Sequence, residues 1–127
     1  MKRPFSRRTI SSPFGARVVP GTVYTHHHTG TDYAVPEGSA VRAIADGTVI
    51  AKRWHPQLGN TLTLGHENGR RSKYMHLRHP ATPKVGAAIK EGEIVAEVGN
   101  TGTASRGAHL HLEAWEGRVC VDPETWF

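Results

Sequence analysis

The chain has a single cysteine, Cys120, in 127 residues. A disulfide framework is thereby excluded, and so is a thiolate-rich zinc site. Any metal must be held by histidine and carboxylate. Long apolar runs are missing too, since none approaches the ~20 residues that cross a bilayer. Membrane insertion is therefore not expected. The basic start, with Lys2, Arg3, Arg7 and Arg8, runs into Thr9-Ile10-Ser11-Ser12-Pro13 without the apolar core of a secretory signal. Synthesis in the cytoplasm is the expectation, with release by some other agent if the protein works outside the cell. Acidic residues are few, 11 against 16 Lys and Arg, which leaves a formal net charge of +5. Much of that charge sits in residues 1–11, which read as a flexible basic leader ahead of one domain, 12–127. No basic-aromatic stripe or nucleic-acid motif accompanies it, so nucleic acid is not an expected partner.

Helical periodicity is the next absence. Fourteen glycines and eight prolines cut the chain into short segments. Most of these are β-branched or alternate with period two, which predicts an all-β, antiparallel domain with little or no helix. Strands are expected at Thr48 to Trp54, Thr61 to Leu64, Arg71 to Leu77, Val85 to Ile89, Ile94 to Val98 and Arg118 to Val121. Arg17 to Val19 and Thr22 to Thr25 flank the turn Pro20-Gly21. Asp46-Gly47 and Asn68-Gly69 are hairpin signals.

What the chain does have is histidine, nine in all. In Gly107-Ala108-His109-Leu110-His111-Leu112-Glu113 histidine and leucine alternate, so His109 and His111 share one face of a strand and Leu110 and Leu112 the other. In Tyr74-Met75-His76-Leu77 the same rule pairs Tyr74 with His76 and Met75 with Leu77. His28-Thr29-Gly30-Thr31-Asp32 puts a glycine between an imidazole and a carboxylate, letting the backbone bend so that both converge on one ion. His26 and His27 are chemically equivalent candidates at this point. His55, His66 and His79 lie at turns and read as surface residues. The loop Gly99–Gly107 lacks the Lys-Ser/Thr of a phosphate-binding loop and reads as an ordinary mobile connection.

Taken in order, these stretches resemble the lysostaphin/LytM-type zinc metallopeptidases, which cut peptide bonds in bacterial peptidoglycan. The resemblance runs from Ser12-Pro13-Phe14-Gly15 to Val121-Asp122-Pro123. It also takes in Val41-Arg42-Ala43, Asp46-Gly47-Thr48-Val49 and Gly59-Asn60. It implies one zinc ion held by His28, Asp32 and His111, which removes the ambiguity with His26 and His27. Three protein ligands leave a coordination position open, as in catalytic zinc sites. The resemblance further implies His109 as general base and His76 as a group that steadies the oxyanion or shares the proton handling. Tyr24, Arg106 and Asn60 are the candidates for substrate or oxyanion contact, with Arg106 placed to meet a stem-peptide carboxylate. Ala108 departs from the proline usual before the first histidine of the pair. The implied substrate is peptidoglycan and the implied form a monomer. A compact phage-type lysin, virion-associated or released by a holin-like partner, fits this reading. The alternative is a non-catalytic wall-binding or regulatory relative, which would ordinarily have lost ligands that this chain keeps.

Overall fold

A computed structural model describes residues 1–18 and 25–127. Tyr24 and the turn Pro20-Gly21 lie outside the described residues. The strands β1 (Ile10–Ser12), β2 (Gly15–Val18), β3 (Thr25–His28) and β4 (Thr31–Tyr33) come first. They are followed by β5 (Ala40–Arg42), β6 (Gly47–His55), β7 (Gly59–Gly65) and β8 (Arg70–Leu77). The chain finishes with β9 (Ala88–Ile89), β10 (Ile94–Glu97), β11 (Leu110–Glu116) and β12 (Val119–Val121). Among the described residues the only helical elements are three short 3-10 turns, none long and apolar enough to cross a membrane. The all-β, antiparallel expectation holds.

The main sheet runs in the order β1-β4-β11-β8-β7-β6-β9, with β12 added to the far end of β11. Two smaller pairs, β2 with β3 and β5 with β10, stand apart from it. Leu62, Leu64, Tyr74, Leu110 and Leu112 project from one face of the main sheet and are fully buried against Val41, Ile44, Val95 and Val98. The period-two alternation of β7 and β11 produces this core directly. The opposite face carries the polar partners of the same alternation, and the histidine cluster stands on it.

Three expectations are corrected. Residues 1–11 are not a detached leader. Pro4 is buried, Phe5 packs on Tyr33 at 6.1 Å, and Arg3 Nε donates to Glu124 Oε1 at 2.9 Å. Ile10 and Ser12 pair with Tyr33 and Asp32. The apolar Phe5 and Ile10 outweigh the solvation of the neighbouring arginines, one of which finds a carboxylate 121 positions away. Second, Asp46-Gly47 does not close a hairpin, because β5 pairs with β10 and β6 with β7 and β9. Asn68-Gly69 does close one, with φ of 61° and 71°, the two positive values that a tight hairpin requires.

The third correction concerns His76. Its φ is 62°, in the left-handed region, and the β7–β8 register slips there between Asn60↔Leu77 and Leu62↔Tyr74. This is a bulge, two residues of β8 (Met75 and His76) facing one of β7 (Thr61). Tyr74 and Leu77 both enter the core as a result, whereas His76 turns to the open face beside Met75. Simple alternation would have buried the ring in the core.

Candidate metal centre

The register of three strands assembles the site. Asp32 on β4 is opposite His111 on β11, and His111 is opposite Met75 on β8. Directly paired residues share a face, so Asp32 and His111 are side by side. His28, at the end of β3, reaches the same point through the turn Thr29-Gly30. Gly30 is required there for close approach: a Cβ would strike the Leu112 carbonyl oxygen and the His111 ring. Its φ is not positive, so proximity to β11 and not a left-handed bend is what excludes other residues.

One ligand atom from each of His28, Asp32 and His111 lies within 4.8 Å of the others. His28 Nε2 is 3.3 Å from Asp32 Oδ2, and His111 Nδ1 is 2.7 Å from Asp32 Oδ1. The outer nitrogen of each ring is held. His28 Nδ1 donates to the Pro13 carbonyl at 3.0 Å, which leaves Nε2 as the nitrogen facing Asp32. His111 Nε2 donates to Glu113 Oε2 at 3.0 Å, which leaves Nδ1 facing inward. Such outer hydrogen bonds fix the tautomer and ring orientation that a metal needs. Two nitrogens and one carboxylate oxygen are a suitable donor set for zinc, so the residues fit the ion that the resemblance implies.

Glu113 had no role in the sequence reading. It is buried, and burial alone would raise its pKa, yet bonds from His111, Thr29 Oγ1 at 2.8 Å and Trp115 Nε1 at 2.9 Å lower it. Period two could have found it, since Glu113 follows His111 by two positions on the same strand. Burial also opposes the charge on Asp32, but bonds from His111 and His28 hold it far below the ordinary carboxylate range. For His111 burial disfavours the cation, and the two carboxylates overrule it and raise its pKa to about 9.

His76 and His109 form the second half of the site. Their ring centroids are 4.8 Å apart, and His76 is 6.3 Å from His111. His109 Nε2 is 3.7 Å from Asp32 Oδ1. His76 Nδ1 lies 2.7 Å from the Thr101 carbonyl and His109 Nδ1 2.8 Å from the Gly107 carbonyl. A carbonyl can only accept, so each Nδ1 carries the proton and each neutral ring presents a lone pair at Nε2. Burial lowers the pKa of His76, reinforced by the neighbouring His109 and His111.

The loop that supplies both carbonyls is Gly99–Gly107. It is anchored: Thr101 Oγ1 donates to Leu77 O at 2.6 Å, and Asn60 N donates to Thr101 Oγ1 at 3.2 Å. A Cβ at Gly59, whose φ is 69°, would collide with Thr101. The loop expected to be merely mobile is therefore the scaffold of the two catalytic candidates.

The cleft around these groups is lined by Leu58, Ala104 and Thr29 together with the histidines, Asp32 and Glu113. Asn60 is not among them. Its side-chain amide donates to Leu77 O at 3.2 Å, which serves the bulge behind His76. Arg106 is exposed and lines a neighbouring recess with Ser11, Asp32 and His109. His55 and His79 are exposed as expected, with His55 Nδ1 accepting from the Gln57 amide at 3.1 Å. His66 differs from expectation. It is half-buried and bonds to the Asp46 carbonyl and to Ser72 Oγ, both at 2.7 Å.

Known proteins agree with this arrangement. Peptidase family M23 matches residues 26–123. The DD-carboxypeptidase/endopeptidase Mpg of Neisseria meningitidis is 41% identical over 120 residues, which cover 94% of this chain. The chain spans only 27% of the length of that relative. A solved zinc-containing peptidase from Vibrio cholerae superposes with a TM-score of 0.83 at 36% identity, covering 94% of this chain and 37% of that one. The catalytic domain of the prophage-encoded M23 protein EnpA from Enterococcus faecalis superposes at 0.84 and 30% identity, covering 98% and 96% respectively. The match over most of the length, together with the histidine-aspartate cluster on the open face of the sheet, places the chain in peptidase family M23.

Proposed function

We propose that this chain is a zinc-dependent endopeptidase that hydrolyses peptide bonds in the stem peptides or cross-bridges of peptidoglycan. The observation that carries the reading is the pairing of two histidine Nε2 lone pairs with the His28-Asp32-His111 cluster in one cleft. When bound, zinc supplies a Lewis acid for the scissile carbonyl and lowers the pKa of a water molecule towards neutrality. The chain's own residues then handle the protons. His109 takes the proton from water at Nε2 and returns it to the leaving amine, its Nδ1–H being held by the Gly107 carbonyl. His76 orients the attacking water by accepting a hydrogen bond at Nε2. Its ring N–H is committed to Thr101, and burial disfavours its cation, so it serves as a neutral acceptor and does not act as an oxyanion donor. Arg106, beside His109, is placed to meet a carboxylate of the stem peptide.

The name of the Neisseria relative favours a bond with a D-alanyl carbonyl as the one cut. The likeness to a prophage-encoded protein supports a lysin role; the monomer and a holin-like partner that permeabilises the membrane are part of the proposal. Purified peptidoglycan digested with the protein, and analysed by mass spectrometry for new termini, tests the activity and names the bond. The expected result is new amino termini at cross-links, abolished by chelator and restored by zinc. Intact cross-links with zinc present would refute the reading.

A further inference from the structure

The open face of the main sheet continues past the metal centre as a trough over β8, β7 and β6. Its floor follows from register. Lys73 is opposite both Glu113 and Thr63, and Thr63 is opposite Ala51. One row along, Thr61 is opposite Arg53. Leu58 lines both the metal cleft and the trough, so the two are continuous. The trough has a volume of about 560 Å³, and its lining includes Arg53, Arg71 and Lys73 but no Asp or Glu.

These three cations are unneutralised. Among the described residues none of them forms an ion pair with a carboxylate. Arg71 Nη2 donates to the Gly117 carbonyl at 2.9 Å, and Lys73 Nζ stands 4.7 Å over the Trp115 ring. The Trp115 face holds both long side chains against the sheet, Arg71 at 5.8 Å. At the far end Trp54 is 62% exposed and Ile50 45%, two large apolar side chains left in water next to Arg53. The Glu113 carboxylate opposite Lys73 is committed to His111, Thr29 and Trp115, so the cations gathered on this face repel one another, and an anionic ligand relieves that repulsion.

We propose that this trough is a subsite for an acidic peptide, the carboxylate-bearing stem that flanks the scissile bond. Arg71 and Lys73 take the carboxylate nearer the metal, Arg53 takes the farther one, and Trp54 covers the peptide between. The dimensions match. Three strand spacings separate β11 from β6, about 14 Å at ~4.8 Å each, which is the length of roughly four extended residues. The threonines between the cations offer hydroxyl donors and acceptors to a peptide backbone. The inference rests on the peptidase reading above and adds what the enzyme selects: stems with free carboxylates over stems whose carboxylates are amidated.

Binding tests the trough apart from catalysis. Zinc-stripped full-length protein is titrated with a tetrapeptide stem, L-Ala-D-isoGlu-diaminopimelate-D-Ala, as the free acid and as its amide at the two side-branch carboxyls. Calorimetry at low salt should show the amide binding at least tenfold more weakly. The triple variant R53Q/R71Q/K73M should bring the free acid down to the level of the amide, while its zinc content before stripping equals the parent's. If the triple variant fails to fold, Arg53→Gln alone, at an exposed position, should halve the preference or more. On cross-linked dimers the variants should raise KM about tenfold while kcat stays within twofold. Equal binding of the two peptides by the parent, an undiminished preference in the variants, or tighter binding of a glycerol-phosphate polymer than of the free-acid peptide would overturn the proposal. Peptide binding with no cleavage of dimers would uphold the trough and remove the peptidase reading. Cleavage with equal peptide binding would do the reverse.

Discussion

The two halves of the cleft are built in different ways. His28, Asp32 and His111 are gripped by side chains and strand register: a carboxylate sits between two rings, and Glu113 and Pro13 hold the outer nitrogens. His76 and His109 hang from backbone carbonyls of one loop, Thr101 and Gly107, and His76 gets its direction from a bulge. The first half must be rigid and must place lone pairs on an ion. The second must present free lone pairs at Nε2, which the carbonyls secure by holding each Nδ1–H. A lesson follows for variants: damage to the sheet side should appear as lost metal, and damage to the loop side as lost turnover with metal retained.

His76→Ala should lower kcat about a hundredfold, as expected for loss of a group that orients the attacking water, with one zinc still bound per chain. Steady-state kinetics beside metal analysis checks this, and loss of zinc would show that the halves are not separate. Glu113→Gln works the other side. It removes the charge behind His111 and should weaken zinc about tenfold, as outer partners of metal ligands commonly do, with activity recovered by excess zinc. Because the His111 pKa is raised to about 9, zinc binding at pH 7 displaces a proton from that ring. Affinity in the parent should therefore fall about tenfold for each pH unit below that value, and in Glu113→Gln, where the proton is held less strongly, the fall should begin at a lower pH. Gly59→Ala should be the mildest. Its added Cβ presses on Thr101, so kcat should fall several-fold while zinc affinity is unchanged, a split read from the same two assays.

The sheet half was the more legible in sequence, for a physical reason. β11 is regular, so alternation correctly placed His109 and His111 on one face with Leu110 and Leu112 in the core. The same rule failed one strand away. A bulge adds a residue without marking the sequence, and His76 came out on the opposite face from the one alternation assigned. Glu113 was within reach of period two, but its partners Thr29 and Trp115 become visible only in the fold. The carbonyls of Thr101 and Gly107 carry no residue-specific signal at all. Residues 1–11 read as solvated because their partners, Tyr33 and Glu124, are distant in the chain. Asp46-Gly47 misled because a turn motif says nothing about which strand a segment will choose as neighbour.

The division of labour within His109-Leu110-His111 is the claim on which the rest depends. Zinc content of purified His109→Ala and His111→Ala, measured side by side after equilibration with the same limiting zinc, tests it most directly. The account predicts one zinc per chain in His109→Ala, without turnover, and none in His111→Ala. Equal zinc in the two variants, or zinc lost from His109→Ala and kept in His111→Ala, would contradict it.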